Sequence, residues 1–119
     1  MTENGNEFSA IQKLFLPLTN NRPEALSLSD DAAFLNSTKS TQIVITTDCL
    51  IEGVHFLRND AAKAVAARSL RINLSDIAAM AAEPDCYTLS LAIPIGLSDC
   101  WLKDFVDQLK HDQTQFDIN

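Results

Sequence analysis

The feature that most constrains this sequence is a long alanine-rich segment, from about Asp60 to Ala82, with the periodicity of a helix. We expect Asp60 to cap this helix and Pro84 to end it. At 3.6 residues per turn, one narrow stripe of the helix carries Ala62, Ala66, Ser69, Asn73, Asp76 and Met80. The stripe is small and apolar at its ends and polar in its middle. A carboxylate in such a place is costly without a partner, so Asp76 requires an arginine, a helix N-terminus or a metal ion.

The composition fits one folded domain over residues 1–119. Apolar residues make up 46% of the chain, which is typical of a globular protein. The net charge of −7 argues against nucleic-acid binding and against docking on anionic lipid, since both need a basic face. No apolar run approaches the roughly 20 residues of a membrane span, and the first residues lack the features of a secretory signal. Cys49, Cys86 and Cys100 have no metal-binding spacing, which indicates reduced thiols in a cytoplasmic protein.

Residues 1–6 are polar, and we expect them to fray. Apolar periodicity and turn residues predict the positions of the other helices and strands. We expect a helix from about Glu7 to Leu18, a hairpin of strands at 32–35 and 42–47, a strand at 86–93, a helix over roughly Asp99 to His111 capped by Ser98, and the start of a strand at 115–119. The run at 42–47 has the β-branched composition of a strand buried on both faces. These elements predict an α+β fold with a small mixed β-sheet covered by helices.

The glycine and histidine counts exclude several kinds of site. With only three glycines, Gly5, Gly53 and Gly96, the chain has neither a phosphate-binding loop nor a dinucleotide fingerprint. Its two histidines, His55 and His111, lack the spacing of a zinc site. The remaining candidate chemistry is that of oxygen ligands.

Carboxylates and hydroxyls occur at three places along the chain: Asp30 and Asp31, then Thr46, Thr47 and Asp48, then Asp76. Such hard ligands suit magnesium or calcium, and a divalent ion would neutralise carboxylates brought close together. Structural explanations remain open for each of these residues. The first pair fits a turn, Asp48 fits a turn cap, and Asp76 fits an ion pair with Arg68 or Arg71. His55 is equally consistent with an ordinary loop or core histidine.

Three motifs resemble those of the thiamine-monophosphate kinase family, in its order and at its usual spacing. They are SDDAA at 29–33, TTD at 46–48 with EGVHF at 52–56, and NLSDIAAM at 73–80. The stretch TLSLAIP at 88–94, followed by Trp101, fits the same family. The sister families aminoimidazole ribonucleotide synthetase and selenide water dikinase share the acidic pattern but match these strings less well.

The resemblance implies a function and a set of site residues. It implies transfer of the ATP γ-phosphoryl group to thiamine phosphate, giving thiamine diphosphate, with Mg²⁺ held by aspartates. The magnesium ligands implied by the matching motifs are Asp31, Thr46, Thr47, Asp48 and Asp76, with Asp30 in the same motif. His55 is implied as a contact to thiamine phosphate. The implied fold is the N-terminal domain of the aminoimidazole ribonucleotide synthetase superfamily, paired as a homodimer through its sheet.

The sequence departs from the family in two residues and in length. The family usually has glycine at the positions of Ser29 and Ala81, and it continues beyond Asn119 with another metal aspartate and a second domain. We therefore expect the N-terminal part of the enzyme, inactive as this chain alone. The alternatives are a non-catalytic dimerisation module and a sister-family ATP-dependent enzyme such as selenide water dikinase. Magnesium-dependent nucleotide binding would favour an enzyme over a module, and the preferred acceptor substrate would separate the sister families.

Overall fold

A computed structural model describes residues 7–118, and two long helices form its centre. Helix α2 spans Ala62–Ala79 and helix α3 spans Asp99–Phe116. The N-terminal segment begins with a short helix α1, Glu7–Ala10, and continues through a π-helical stretch at Ile11–Phe15 and 3₁₀ turns at Leu16–Thr19 and Pro23–Leu28. The helix expected from about Glu7 to Leu18 is therefore present in three successive forms. The expectation that residues 1–6 fray lies outside the described residues.

Helix α2 begins and ends slightly inside its expected bounds. Ala61 is its N-cap, and the side chain of Asp60 instead accepts a hydrogen bond from the Leu57 amide at 2.9 Å. The helix therefore starts without a side-chain cap. At its other end the chain turns at Ala81, whose φ of 53° is left-handed. Glycine is the residue that adopts this conformation without steric cost.

Helix α3 has the expected cap but extends five residues further than expected. The Ser98 hydroxyl accepts a hydrogen bond from the Trp101 amide at 3.2 Å, which satisfies one of the free amides of the first turn. The helix continues past His111 to Phe116, so the strand predicted at 115–119 is wrong for its first residues. Asn119 lies outside the described part of the chain. The left-handed Asp117, with a φ of 55°, ends the helix.

The hydrophobic core lies between α2 and α3. Buried apolar side chains recur at helical spacing on both helices, and Leu18 and Ile118 close the core from the two termini. The core members on the helices are Ala62, Val65, Ala66, Leu70, Phe105, Val106 and Leu109. Leu102 is also buried on α3. The Gln113 side chain, itself buried, donates to the Leu18 carbonyl at 2.7 Å and ties the N-terminal segment to α3.

The predicted α+β fold with its mixed β-sheet is wrong for this structure. Among residues 7–118 no strand pairing occurs at 32–35, 42–47 or 86–93, and the only bridge is an isolated one between Glu52 and Phe56. The predicted hairpin fails because the Phe34 amide donates to the Glu24 carbonyl at 3.0 Å rather than to a neighbouring strand. Ile45 is 78% exposed, so the β-branched run gains no burial. Strand propensity reflects packing on a half-buried sheet, and the two helices bury their apolar faces against each other instead.

Candidate functional site

The side chains of Thr46 and Asp76 meet although they are 30 positions apart in the sequence. The Thr46 hydroxyl donates to a carboxylate oxygen of Asp76 at 3.2 Å. Asp76 is exposed and lies in the last turn of α2, which contains no basic residue. The C-terminal end of a helix carries a partial negative charge, so a carboxylate there is electrostatically unfavourable. This position would be stabilised by a cation.

Neither nearby arginine supplies that cation. The Arg71 guanidinium forms two hydrogen bonds with the carboxylate of Asp112, at 2.9 and 2.7 Å. Arg68 donates from Nη1 to the backbone carbonyl of His55. Within the described residues no salt bridge reaches Asp76, so the ion pair that the sequence left open as an explanation is not formed.

The other predicted magnesium ligands remain separate from this contact. Asp30 and Asp31 are exposed, and a carboxylate oxygen of Asp30 accepts a hydrogen bond from the Asp31 amide at 2.9 Å, which is a local turn contact. Thr47 and Asp48 are also exposed. Over residues 7–118, no three acidic, histidine or cysteine side chains converge as a metal site. Of the predicted set, the structure brings together Thr46 and Asp76.

His55 lies in a short loop that is closed by its own hydrogen bonds. The Ile51 amide donates to the imidazole Nδ1 at 3.0 Å, and the Ile51 carbonyl accepts from the His55 amide at 2.9 Å. The Gly53 amide donates to the Phe56 carbonyl at 2.7 Å, and Gly53 has a φ of 81° that favours glycine. Because Nδ1 accepts a hydrogen bond, the hydrogen-bond network assigns the proton of the neutral ring to Nε2. His55 therefore has an Nε2–H donor on an exposed side chain.

A charge cluster between α2 and α3, centred on the buried Asp112, was not found from the sequence. Asp112 is fully buried and accepts hydrogen bonds from Arg71, from Gln108 at 2.8 Å and from His111 at 3.2 Å. Burial alone would raise the pKa of Asp112, but the hydrogen bonds from these three side chains lower it below its usual value. The same contact raises the pKa of Arg71. The signal was available, because Asp112 follows Phe105 at the spacing of the buried face of α3.

Tyr87 packs beside this cluster with its hydroxyl unpaired. Burial raises the pKa of Tyr87 to about 12, and the nearby negative charge of Asp112 adds to the effect. The Tyr87 hydroxyl is buried and has no hydrogen-bond partner among the described residues.

The Asn73 side-chain carbonyl, one turn before Asp76, is also buried and has no hydrogen-bond partner among the described residues. The side-chain amide of Asn73 donates to the Ser69 carbonyl at 3.0 Å. Asn73 thus adds a free oxygen acceptor to the helical stripe that carries Asp76.

Comparison with known proteins gives a family assignment. The model for the AIR synthase related protein, N-terminal domain, matches residues 29–119. The chain belongs to this family. It is 45% identical over 113 residues to a thiamine-monophosphate kinase of Caulobacter vibrioides, covering 95% of this chain and 32% of that protein. It is 38% identical over 104 residues to the thiamine-monophosphate kinase of Escherichia coli, covering 87% of this chain and 32% of that protein.

These matches confirm the resemblance to the thiamine-monophosphate kinases that the three motifs indicated. The chain spans about a third of the length of the curated relatives it matches. No solved structure matches the chain. Over the described residues, no helix is both long and apolar enough to cross a membrane.

Proposed function

We propose that the chain acts as the N-terminal part of a thiamine-monophosphate kinase, which uses ATP to phosphorylate thiamine phosphate to thiamine diphosphate. The similarity to the named kinases supports the reaction class. The observation that supports the site is the Thr46–Asp76 contact, in which a carboxylate at a helix C-terminus has a hydroxyl neighbour but no cationic partner among residues 7–118. Phosphoryl transfer depends on positioned substrates and on cations that neutralise phosphate charge, so this is the kind of site the reaction needs.

The donor groups at this site fit magnesium better than zinc. A threonine hydroxyl and an aspartate carboxylate are hard oxygen donors, and Mg²⁺ typically binds one or two carboxylates while keeping several waters. A complete carboxylate cage is therefore not required. In the proposal Thr46 and Asp76 hold the ion, and Asp30, Asp31, Thr47 and Asp48 contribute from the two exposed loops. The bound ion would supply charge neutralisation to the ATP phosphates.

The acceptor substrate is assigned to the loop that contains His55. In the proposal the Nε2–H group of His55 donates to thiamine phosphate. Helix α2 connects this loop to the metal residues, because Arg68 contacts the His55 carbonyl and Asp76 lies eight residues further along the same helix. That separation is about 12 Å along the helix axis, at 1.5 Å per residue.

A homodimer and a cytoplasmic location complete the proposal. Large apolar side chains are exposed along residues 34–57, including Phe34, Ile43, Ile45, Ile51, Val54 and Leu57. Exposed apolar surface of this kind marks protein contacts, which supports self-association. Sedimentation velocity across a range of concentrations would test the dimer, and a monomer at every concentration would contradict it.

The test of the site is a magnesium titration followed by amide and side-chain chemical shifts. We expect the shifts to concentrate around Thr46 and Asp76, with Mn²⁺ broadening the same signals and Zn²⁺ competing weakly. Asp76→Asn should abolish this response. Asp107→Asn is the matched control, because Asp107 is an exposed aspartate on α3 outside the site. Shifts confined to other residues would remove the proposed metal site.

The second candidate function is a non-catalytic folded module. The observation in its favour is that no three metal-binding side chains converge within residues 7–118. The two candidates differ in their response to nucleotide. Binding of ATP that strengthens with magnesium supports the kinase, whereas self-association without such binding supports the module.

A further inference from the structure

Arg68 of α2 contacts the loop at residues 51–57, and the proposed function gives the Arg68 side chain no role of its own. The Arg68 guanidinium donates to the His55 carbonyl across 13 positions of sequence. Phe56, the next residue in the loop, packs against the core cluster. The loop is therefore attached to the helix through the backbone carbonyl of His55 and to the core through the apolar side chain of the next residue. Such a double attachment fixes the backbone from which the imidazole projects.

The imidazole itself is held by a contact inside the loop. The Ile51 amide donates to Nδ1 of His55 at 3.0 Å, so the loop geometry selects the neutral ring that carries its proton on Nε2. This selection depends on the closed shape of the loop, because four residues separate the donor from the ring. If the loop opened, the hydrogen bond from the Ile51 amide to Nδ1 of His55 would break, and the neutral ring could carry its proton on either nitrogen.

We propose that Arg68 is a positioning residue, which holds the loop at residues 51–57 closed on α2 and so keeps the Nε2–H group of His55 directed to a phosphate-bearing acceptor substrate. The ligand half of this proposal rests on the proposed kinase function. The tautomer half rests on the contacts of Arg68, Ile51 and His55 alone. The two halves are measured separately, so that a failure of the kinase assignment is distinguishable from a failure of the positioning role.

The other histidine of the chain provides an internal reference. His111 places Nδ1 at 3.2 Å from a carboxylate oxygen of Asp112, which accepts hydrogen bonds only. The neutral form of His111 must therefore carry its proton on Nδ1 to make this contact. Nδ1 of His111 lies closer to this carboxylate than to the Gln108 amide nitrogen, which is 3.5 Å away, so we expect the two histidines to have opposite tautomers. The chain has no third histidine whose ring signals could overlap with theirs.

The first experiment records long-range ¹H–¹⁵N spectra of the histidine rings in the 119-residue chain at a pH where both rings are neutral. We expect a pyridine-like Nδ1 signal for His55 and a pyridine-like Nε2 signal for His111. In Arg68→Met the His55 ring should show averaged signals of both tautomers, and hydrogen exchange at the Ile51 amide should accelerate about tenfold or more, as expected for the loss of one charge-assisted hydrogen bond. Arg68→Lys retains a cationic donor and should restore most of both effects.

Arg58→Met is the matched control for the lost arginine. Arg58 is exposed, follows the loop directly and makes no hydrogen bond or salt bridge within the described residues. Its replacement should leave the His55 tautomer and the Ile51 exchange rate unchanged. A proton on Nδ1 of His55 in the unmodified chain, or an Arg68→Met spectrum identical to it, would overturn the positioning role regardless of any ligand.

The second experiment adds thiamine phosphate, with inorganic phosphate as a parallel probe. We expect thiamine phosphate to shift the His55 Nε2–H signal in the unmodified chain, and its apparent affinity to fall about tenfold in Arg68→Met, while magnesium shifts at Thr46 and Asp76 remain. An equal response to inorganic phosphate would assign the site to the phosphate group alone. If thiamine phosphate leaves His55 unchanged, the ligand half is wrong, and the magnesium titration then decides independently whether the kinase site stands.

Discussion

The buried carboxylate of Asp112 and the exposed carboxylate of Asp76 have opposite surroundings. Asp112 of α3 forms a bidentate pair with Arg71 of α2, and both of its carboxylate oxygens have a donor. Asp76, in the last turn of α2, has one hydroxyl neighbour and no cationic partner among residues 7–118. The first arrangement is complete within the chain, so it has the features of a structural contact. The second leaves the carboxylate charge without a counter-ion among the described residues, and a bound cation would supply one.

The arginines show why the same residue type has different roles three positions apart. Arg71 lies over the ring of Phe116, with its guanidinium carbon 5.7 Å from the ring centre, and reaches the buried Asp112. Arg68 donates to a backbone carbonyl and forms no salt bridge within the part of the chain that the structure describes. The role of each arginine therefore depends on the element that its side chain contacts, which is α3 for Arg71 and the loop at residues 51–57 for Arg68.

The largest expected effect is at the buried Asp112. Asp112→Ala removes the acceptor for Arg71, Gln108 and His111, and it should lower the free energy of unfolding by about 3 kcal/mol. This is the low end of the range for breaking a buried pair, because the Arg71 side chain keeps access to water. Urea unfolding measures the change. Asp104→Ala, at an exposed site on the same helix, is the control and should change stability by less than about 0.5 kcal/mol. An equal loss in both variants would show that the pair does not stabilise the fold.

Acid titration should test the contacts of Asp112 in a second way. The pKa of Asp112 is lower in the folded chain than in the unfolded chain, so the unfolded state takes up a proton first as the pH falls. The stabilisation by Asp112 is fully present above about pH 5 and is lost as the pH falls below about 4. Urea unfolding from pH 6 to pH 3 measures it. The comparison with Asp112→Asn is decisive, since that variant should lose less stability over the same range; parallel curves would contradict the assignment.

The sequence predicted the two long helices better than it predicted how they pack, and it predicted one of their two N-caps. The Ser98 cap and the long helix around Asp76 followed from local rules, which depend on neighbours within one or two turns, whereas Asp60 is not the cap of α2. The β-sheet did not form, because strand pairing depends on a partner that local pattern cannot supply. In this chain the Phe34 amide contacts Glu24, and no neighbouring strand covers residues 42–47.

The sequence also predicted only part of the arrangement of the candidate site residues. The motifs singled out Thr46 and Asp76, and the structure brings these two together across 30 positions. Asp30, Asp31 and Asp48 stay exposed on loops whose positions are set by tertiary contacts rather than by local pattern. The resemblance to the family rested on the order and spacing of the motifs. These are properties of the sequence and do not depend on the conformation of the loops.

An intermediate effect is expected where α2 ends, next to Asp76. Ala81 adopts a left-handed conformation in which its Cβ approaches the backbone, at a cost of roughly 1–2 kcal/mol relative to glycine. Ala81→Gly should raise the free energy of unfolding by about 1 kcal/mol, even though glycine gains entropy in the unfolded chain. Thermal and urea unfolding would measure this gain. Ala79→Gly, two residues earlier inside the helix, should have the opposite sign because glycine is unfavourable there. Stabilisation by neither variant would mean that the turn after α2 is not under strain.

The smallest change in stability is expected for Asp76→Asn, and this variant distinguishes Asp76 from Asp112 most sharply. The substitution keeps the shape of the side chain and removes a negative charge from the C-terminal turn of α2, where the helix dipole opposes it. Without metal, the variant should therefore be unchanged or more stable by about 0.5 kcal/mol, in contrast to the large loss at Asp112. With magnesium, the unmodified chain should gain stability in proportion to the occupancy of the site, and the variant should not. Thermal unfolding of both proteins with and without magnesium gives all four values. A loss of 1 kcal/mol or more in the metal-free variant would show that the carboxylate is already satisfied within the chain, and Asp76 would then belong with Asp112 as a structural residue rather than as a ligand.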